Sequence, residues 1–433
     1  MREMKDSGIE WIGTIPKNWK LLRIQYGLYE IKENNTLKKT SQVLSLVKDN
    51  GVMLYEEKGN KGNKSKEDIS QYKIAYPNTL IVNSMNILIG SVGISKYTGC
   101  VSPVYYVFKE TEQTDLRYIN YIFNTREFQK ELRKYANGIL EIRLRVSAND
   151  IFKRKIPFPN KQTQKLIADF LDQKCSEIDA LTADIQTQIE TLEEYKKSVI
   201  TEAVTKGLDP NVEMKDSGIE WIGKIPADWN VTKIKYLFSS GKGLSITKAD
   251  LEDNGLPVIS YGQIHSKENT NTDIKDSLIR FVDNKYEVFK QCKVNQYDFV
   301  FADTSEDYDG CGNCCYKRDN STLYAGYHSI VLHSFKEKDN RFLAYLFKTD
   351  SWRKQLRETA SGVKVFSITQ KKLINTSVIL PPENQRIIIA DFLDKKCSEI
   401  DLTISEKQQQ LETLAEYKKS LIYEYVTGKK EVA

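Results

Sequence analysis

Histidine is nearly absent. The 433 residues hold three, His265, His328 and His333, which leaves little for proton transfer near neutral pH. No HExxH is present, no glycine-rich cofactor turn follows a strand-like run, and no nucleophile sits in a plausible constellation. GIEWIGKI (218–225) comes close to a phosphate-binding loop, but no Ser or Thr follows Lys224 and no strand precedes it. These absences argue against any catalytic residue in the chain. The 7 cysteines are unevenly spaced, as expected of reduced thiols in a cytoplasm and not of a disulfide framework. Cys311, Cys314 and Cys315, with Cys292 and His328 nearby, lack a second pair at matching spacing, so free thiols and no metal are expected there. No apolar run approaches the roughly 20 residues that span a bilayer, and the opening MREMKDSG is too charged for a signal peptide. A soluble cytoplasmic protein without membrane contact is the expectation.

What the chain does have is repetition. MKDSGIEWIG occurs at 4–13 and again at 214–223, followed by Ile15-Pro16 and Trp19 against Ile225-Pro226 and Trp229, at a constant offset of 210. ADFLDQKCSEID (168–179) returns as ADFLDKKCSEID (390–401) at an offset of 222, and the same offset carries EYKKS from 194–198 onto 416–420. The second copy therefore holds 12 more residues between its shared blocks. Between those blocks, residues from about 27 to 135 and from about 240 to 355 share no run that aligns. Each half is a fixed frame around a variable insert. A hydrophobic fraction of 40% supports buried cores, 28% charged residues suit long solvated helices, and a net charge of +5 permits a nucleic-acid partner without requiring one.

The frame contains a long helix in each half. From Gln164 to about Val204 there is no Pro or Gly, and Ile178, Ile185, Leu192 and Val199 step by seven, with Leu181 and Tyr195 between them. Ile400, Leu414 and Leu421 keep that step in the second copy, interrupted by Lys407; Gly207 and Pro210 stop the first helix and Gly428 the second. An apolar seam needs a partner, and the equivalent helix of the other half, run antiparallel, supplies one. Trp11, Trp19, Trp221 and Trp229 all lie in the repeated entry segments, where such residues are more often core anchors than hot spots for a partner protein. They are carried, with Tyr195 and Tyr417, as candidate partner contacts.

The inserts read as mixed α/β domains. Strand-like runs fall at 42–47, 79–90, 257–262 and 298–303, tight turns at 90–93 and 97–99, and helices at 116–135 and near 341–356. Candidate DNA contacts come from polar and basic stretches. In the first insert they are Lys61, Lys64 and Lys66 in the loop 55–68, Ser91 and Lys96, and Arg143, Arg145 and Ser147 in LEIRLRVS (140–147), whose two arginines would share one strand face. In the second they are Gln263, His265, Lys267 and Asn269 in SYGQIHSKENT (260–270), and Lys364, Ser367 and Thr369 in VKVFSIT (363–369), which follows Gly362 as LEIRLRVS follows Gly138.

Taken together, GIEWIG-x-IP-x-x-W in both halves, Gly138 and Gly362, the Pro-containing exits and IADFLD-x-K-x-x-x-ID make this chain similar to the specificity (S) subunit of Type I restriction-modification systems. The likeness covers nearly the whole length. It departs where that family usually has a Glu-Gln pair, here Thr163-Gln164 and Gln385-Arg386. The resemblance implies an α+β fold in which two mixed α/β target recognition domains are separated by two long antiparallel, coiled-coil-like spacer helices with an internal pseudo-twofold repeat. The expected divisions are a first recognition domain with its frame segment (1–160), a first spacer helix (161–207), a second recognition domain with its frame (208–382) and a second spacer helix (383–433). It further implies double-stranded DNA as ligand, and two modification (methyltransferase) subunits and restriction (motor-nuclease) subunits as partners. S-adenosylmethionine, ATP and magnesium would sit on those partners and not on this chain. A protein-interaction scaffold and a stand-alone DNA-binding regulator are the alternatives; no helix-turn-helix spacing supports the latter.

Overall fold

The computed structural model describes residues 2–47, 51–59, 65, 67–138, 144–336, 338–362 and 364–432. They form two compact units, 1–186 with 407–433, and 187–406. Among the described residues no helix is long and apolar enough to cross a membrane.

In the first unit the insert is built on a four-stranded antiparallel sheet, ordered Leu28–Glu30, Tyr105–Glu110, Leu80–Asn83, Val92–Ile94. The central LIVN run is buried throughout, because helices Leu116–Phe123 and Arg126–Arg133 cover one face and a smaller cluster around Leu44, Ala75 and Val101 covers the other. The helix expected at 116–135 is broken at Asn124–Thr125: the Thr125 hydroxyl accepts from Phe128 N and starts a new helix, as Ser and Thr do at N-caps. The turn expected at 90–93 is instead a left-handed Gly90 followed by a strand, since Val92 pairs with Val82. Gly99 likewise begins a strand, Gly99–Val101, and the 79–90 run is a strand only to Asn83.

The second unit repeats the sheet in the same order: Phe238–Lys242, Ser329–Ser334, Phe299–Ala302, Cys314–Tyr316. Its helix also breaks, into Arg341–Lys348 and Asp350–Thr359, with Thr349 capping the second part. Much of its extra length forms another sheet, ordered Leu251–Glu252, Arg280–Val282, Leu256–Ile259, Tyr324–Ala325, with the last pair parallel.

The long helices run Lys161–Lys206 and Glu383–Val426, roughly 65–70 Å each at 1.5 Å per residue. Both contribute to each unit, and they are antiparallel there. In the first unit Phe170 packs on Tyr425 at 4.4 Å and Lys418 donates to Asp179 at 2.6 Å. In the second, Lys196 donates to Asp401 at 2.7 Å and the Lys396 ammonium lies 5.9 Å from the Tyr195 ring. Lys196–Asp401 and Lys418–Asp179 are the same pair displaced by 222 in the sequence.

One row of the seam is where the heptad pattern places it: Ile178 and Ile185 are buried. The other is not. Leu181 is 46% and Tyr195 48% exposed, and the second row is Cys175, Thr182, Ile189, Lys196, Ala203. The reason lies seven residues away. Leu181 is flanked at that distance by Lys174 and Gln188, whereas Thr182 is flanked by Cys175 and Ile189, so the stripe as a whole outweighs one leucine.

The repeated tryptophans receive the ends of these helices. Gly207 and Gly428 both have φ above +70°, and a Cβ on Gly428 would stand 2.6 Å from Pro16 and 2.9 Å from the Trp19 ring. Gly207 stands against Trp229 in the same way. Trp11, Trp19 and Trp229 are buried and Trp221 is half-buried, so the entry segments close the core and do not offer indoles to a partner. Replacing the fully buried Trp229 by Ala should therefore cost about 3–5 kcal/mol in urea denaturation. Lys418→Ala, which removes one largely exposed ion pair, should cost less than about 1 kcal/mol.

Candidate nucleic-acid interface

Each insert is fastened to its long helix by a matching polar clasp. Arg117 donates to Asp169 and Asp172, both at 2.7 Å, and its fork is completed by Asp115; the Tyr121 hydroxyl donates to the other oxygen of Asp172 at 2.7 Å. In the second unit Arg341 reaches Asp391, Asp394 and Asp339, and Tyr345 donates to Asp394 at 2.8 Å. Burial, with an aspartate accepting from the hydroxyl, holds both phenols well above their usual range. Asp-x-Arg-x-x-x-Tyr at 115–121 recurs at 339–345, a signal the sequence contained but that a comparison restricted to long identical runs misses. Beside the first clasp Gln164 is buried, accepting from Asp115 N at 3.0 Å and donating to the Pro159 carbonyl at 2.8 Å. In the second, Gln385 instead accepts from the Trp229 indole at 2.7 Å.

At one end of each four-stranded sheet the two inserts share a backbone and nothing else. Ser84 N donates to the Val104 carbonyl at 3.4 Å, and Val146 N to the Ser84 carbonyl at 3.1 Å. Asp303 N donates to the His328 carbonyl at 3.1 Å, and Ile368 N to the Asp303 carbonyl at 2.8 Å. Next to these links, backbone pairs Asn137–Arg145 and Ser361–Ser367 tie off equivalent hairpins. Ser147 and Thr369 then cap short helices by accepting from Asp150 N and Lys372 N. Over this end in the first unit lies a cavity of about 300 Å³ lined by Tyr55, Tyr72, Asn83, Ser91, Ser102 and Tyr105 among others. In the second unit the same end carries Tyr261, Tyr327 and His328 in mutual edge contact.

The candidate DNA contacts divide accordingly. Lys61, Lys64, Lys66 and Arg143 lie outside the described residues. Lys96, Arg145, Lys267 and Lys364 are exposed cations. Arg145 holds its hairpin by the backbone alone, and Ser367 is likewise engaged through its backbone, with Ser361 and Thr304. Ser91 is buried, with its N–H given to the Asn86 carbonyl, which takes it off the surface. The Ser147 and Thr369 hydroxyls are committed to capping. Gln263 is half-committed, its carbonyl oxygen accepting from Ser260 N in a capping box. His265 is committed at both ring nitrogens: Nε2–H donates to the Thr304 carbonyl at 2.8 Å, and Nδ1 accepts from the Asn313 amide at 2.9 Å. Asn269 donates to the Ile264 and Cys314 carbonyls and accepts from Lys348. These polar side chains stitch the domain together because 260–270 is packed against the sheet and not looped into solvent.

Cys314 and Cys315 are strand neighbours whose side chains enter different cores, so they cannot face one ion. Burial pushes their thiols up to about 11 and about 12. Tyr195 and Tyr417 are about half exposed on the long helices. So are Leu166 and Ile388, with Phe392, positions that sequence reading passed over because they fall outside the seam.

A chain made of two helix-linked modules, each with a fixed clasp and a sheet end that differs in side chains only, is the architecture of a two-headed recognition protein. The family model for the Type I restriction modification DNA specificity domain matches it twice, at residues 16–191 and 226–413. The chain belongs to that family. It is 24% identical over 360 residues to the Type I restriction enzyme MjaVIII specificity subunit of Methanocaldococcus jannaschii, covering 81% of this chain and 80% of that relative. Two solved structures share the fold at 13% identity. One belongs to a study of complex assembly and conformational transition of the type I R-M system, with a TM-score of 0.72 over 96% of this chain and 99% of that one. The other is the HsdS subunit from Thermoanaerobacter tengcongensis, with a TM-score of 0.54 over 96% and 98%.

Structural and exposed candidates should separate experimentally. Asn269→Ala, which strands two carbonyls and Lys348, should lower stability by about 1–3 kcal/mol. Lys364→Ala should leave the unfolding midpoint within about 0.5 kcal/mol of wild type while weakening DNA binding in a mobility-shift titration.

Proposed function

We propose that this chain is the DNA sequence-recognition subunit of a Type I restriction-modification complex, reading a split, asymmetric target through its two inserts and contributing no catalytic group itself. The observation that carries the reading is the division of labour in each module. Clasp, seam and helix cap are repeated residue for residue, while the sheet end and its hairpin differ. A duplication without divided roles gives no reason for such sharp boundaries between likeness and unlikeness. Two different heads imply two different half-sites, about one helical turn or roughly 10 bp apart centre to centre.

Methylation chemistry belongs on this reading to two modification subunits carrying S-adenosylmethionine, and translocation and cleavage to restriction subunits using ATP and magnesium. Their docking surface is assigned to the long helices. Leu166 and Ile388 are equivalent exposed apolar positions, as are Tyr195 and Tyr417, and large apolar side chains left in water on a helix suit a protein interface. The proposed setting is the cytoplasm, where the DNA and these partners are.

Three measurements test this. Methylome sequencing of the host should return a split, non-palindromic motif for this system; a continuous or palindromic motif would sink the model. DNA affinity should fall steeply between 50 and 200 mM salt; flat salt dependence would favour a protein scaffold. Arg145→Ala should weaken one half-site only, by about 1–3 kcal/mol if a base contact is lost, and Leu166→Glu should reduce co-purification of the modification subunit without changing the fold.

A further inference from the structure

Within the DNA-recognition reading, on which this inference rests, the second insert places an oriented imidazole at the sheet end where the first insert has an aliphatic side chain. His328 and Val104 occupy one backbone address, each carbonyl accepting from the residue that leaves the central strand, Asp303 or Ser84. His328 holds φ at +53°. A left-handed conformation at a residue with a side chain is strained, and such strain persists where surrounding structure imposes it. Here the turn is pinned on both sides. Gly326 N donates to the Ile259 carbonyl, and the Ser329 hydroxyl donates to the Gly326 carbonyl at 2.6 Å.

The ring is also oriented. Nδ1 lies 3.3 Å from Asp303 Oδ1, and that same oxygen accepts from the Thr304 hydroxyl at 2.7 Å. The Tyr261 and Tyr327 rings meet the imidazole edgewise at 5.4 and 6.0 Å. A carboxylate can only accept, so Nδ1 carries the hydrogen, and in the neutral ring Nε2 is a bare acceptor. Nε2 has no hydrogen-bond partner among the described residues, and the side chain is 58% exposed. An exposed acceptor held in a fixed orientation is what recognition of an exocyclic amino group requires, and in the major groove adenine N6 and cytosine N4 present such donors.

We propose that His328, with its tautomer set by Asp303, is a specificity-determining residue of the second insert and accepts a hydrogen bond from the amino group of adenine or cytosine at one position of the half-site that insert reads. The carboxylate fixes which nitrogen is protonated, and the protonation pattern fixes which bases fit.

The test uses the full-length chain co-expressed with its modification partner. Fluorescence anisotropy is measured on duplexes carrying the methylated motif, with each base pair of both half-sites varied in turn. His328→Ala should lose discrimination at one base pair, by about 5- to 100-fold, and leave the other half-site unchanged. Asp303→Asn is the sharper variant. Its amide can donate to Nδ1, which moves the ring hydrogen to Nε2 and turns the acceptor into a donor. Preference at that same base pair should then shift from an amino-bearing base towards guanine or thymine, with the unfolding midpoint unaltered. Unchanged discrimination in both variants, or an equal loss at both half-sites, overturns the assignment while the recognition role stands. Absence of sequence-specific binding by the wild-type complex overturns both.

Discussion

Arg117 and Arg341 each sit among three carboxylates, two of them one turn apart on a long helix and the third on the short helix that bears the arginine. Exposed ion pairs are worth little singly. A guanidinium forked between carboxylates on two elements, with a tyrosine on the same aspartate, is a different object because its geometry is over-determined. The clasp sets where the sheet stands on the helix, and so where the sheet end and its hairpin are presented. The seam, the helix caps and the reading ends all take their positions from it.

That dependence explains which parts of the molecule could be read beforehand. The repeats exposed the frame, and heptad spacing exposed the long helices with their stops at Gly207 and Gly428. Frame residues answer to regular geometry, and regular geometry leaves periodic traces. Leu181 and Tyr195 misled because hydrophobicity was weighed one residue at a time, while packing answered to the whole stripe through Cys175 and Ile189. The clasp was legible in principle, as Asp-x-Arg-x-x-x-Tyr, but its members are spread over 50 residues and meet only in three dimensions.

The inserts were legible as sheet and helix but not as surfaces. Their helices were expected to run straight through Asn124–Thr125 and Thr349, yet hydroxyls placed where a helix can restart divided each in two. In SYGQIHSKENT, polarity suggested availability, but Gln263, His265 and Asn269 spend their hydrogen bonds inside the fold. Polar composition alone does not separate a residue that satisfies a buried carbonyl from one that waits for a base. The tryptophans carried the opposite ambiguity, and burial resolved it towards the core.

At each reading end the supporting hydrogen bonds run through main-chain N–H and C=O groups alone. Ser84 and Asp303, or Val104 and His328, can therefore exchange their side chains while those bonds remain. The atoms that keep the domain folded and the atoms that select a ligand form nearly separate sets. A lineage carrying such a scaffold can change its preferences by single substitutions at almost constant stability, so novelty in recognition is limited by the fit to a new target and not by the tolerance of the fold.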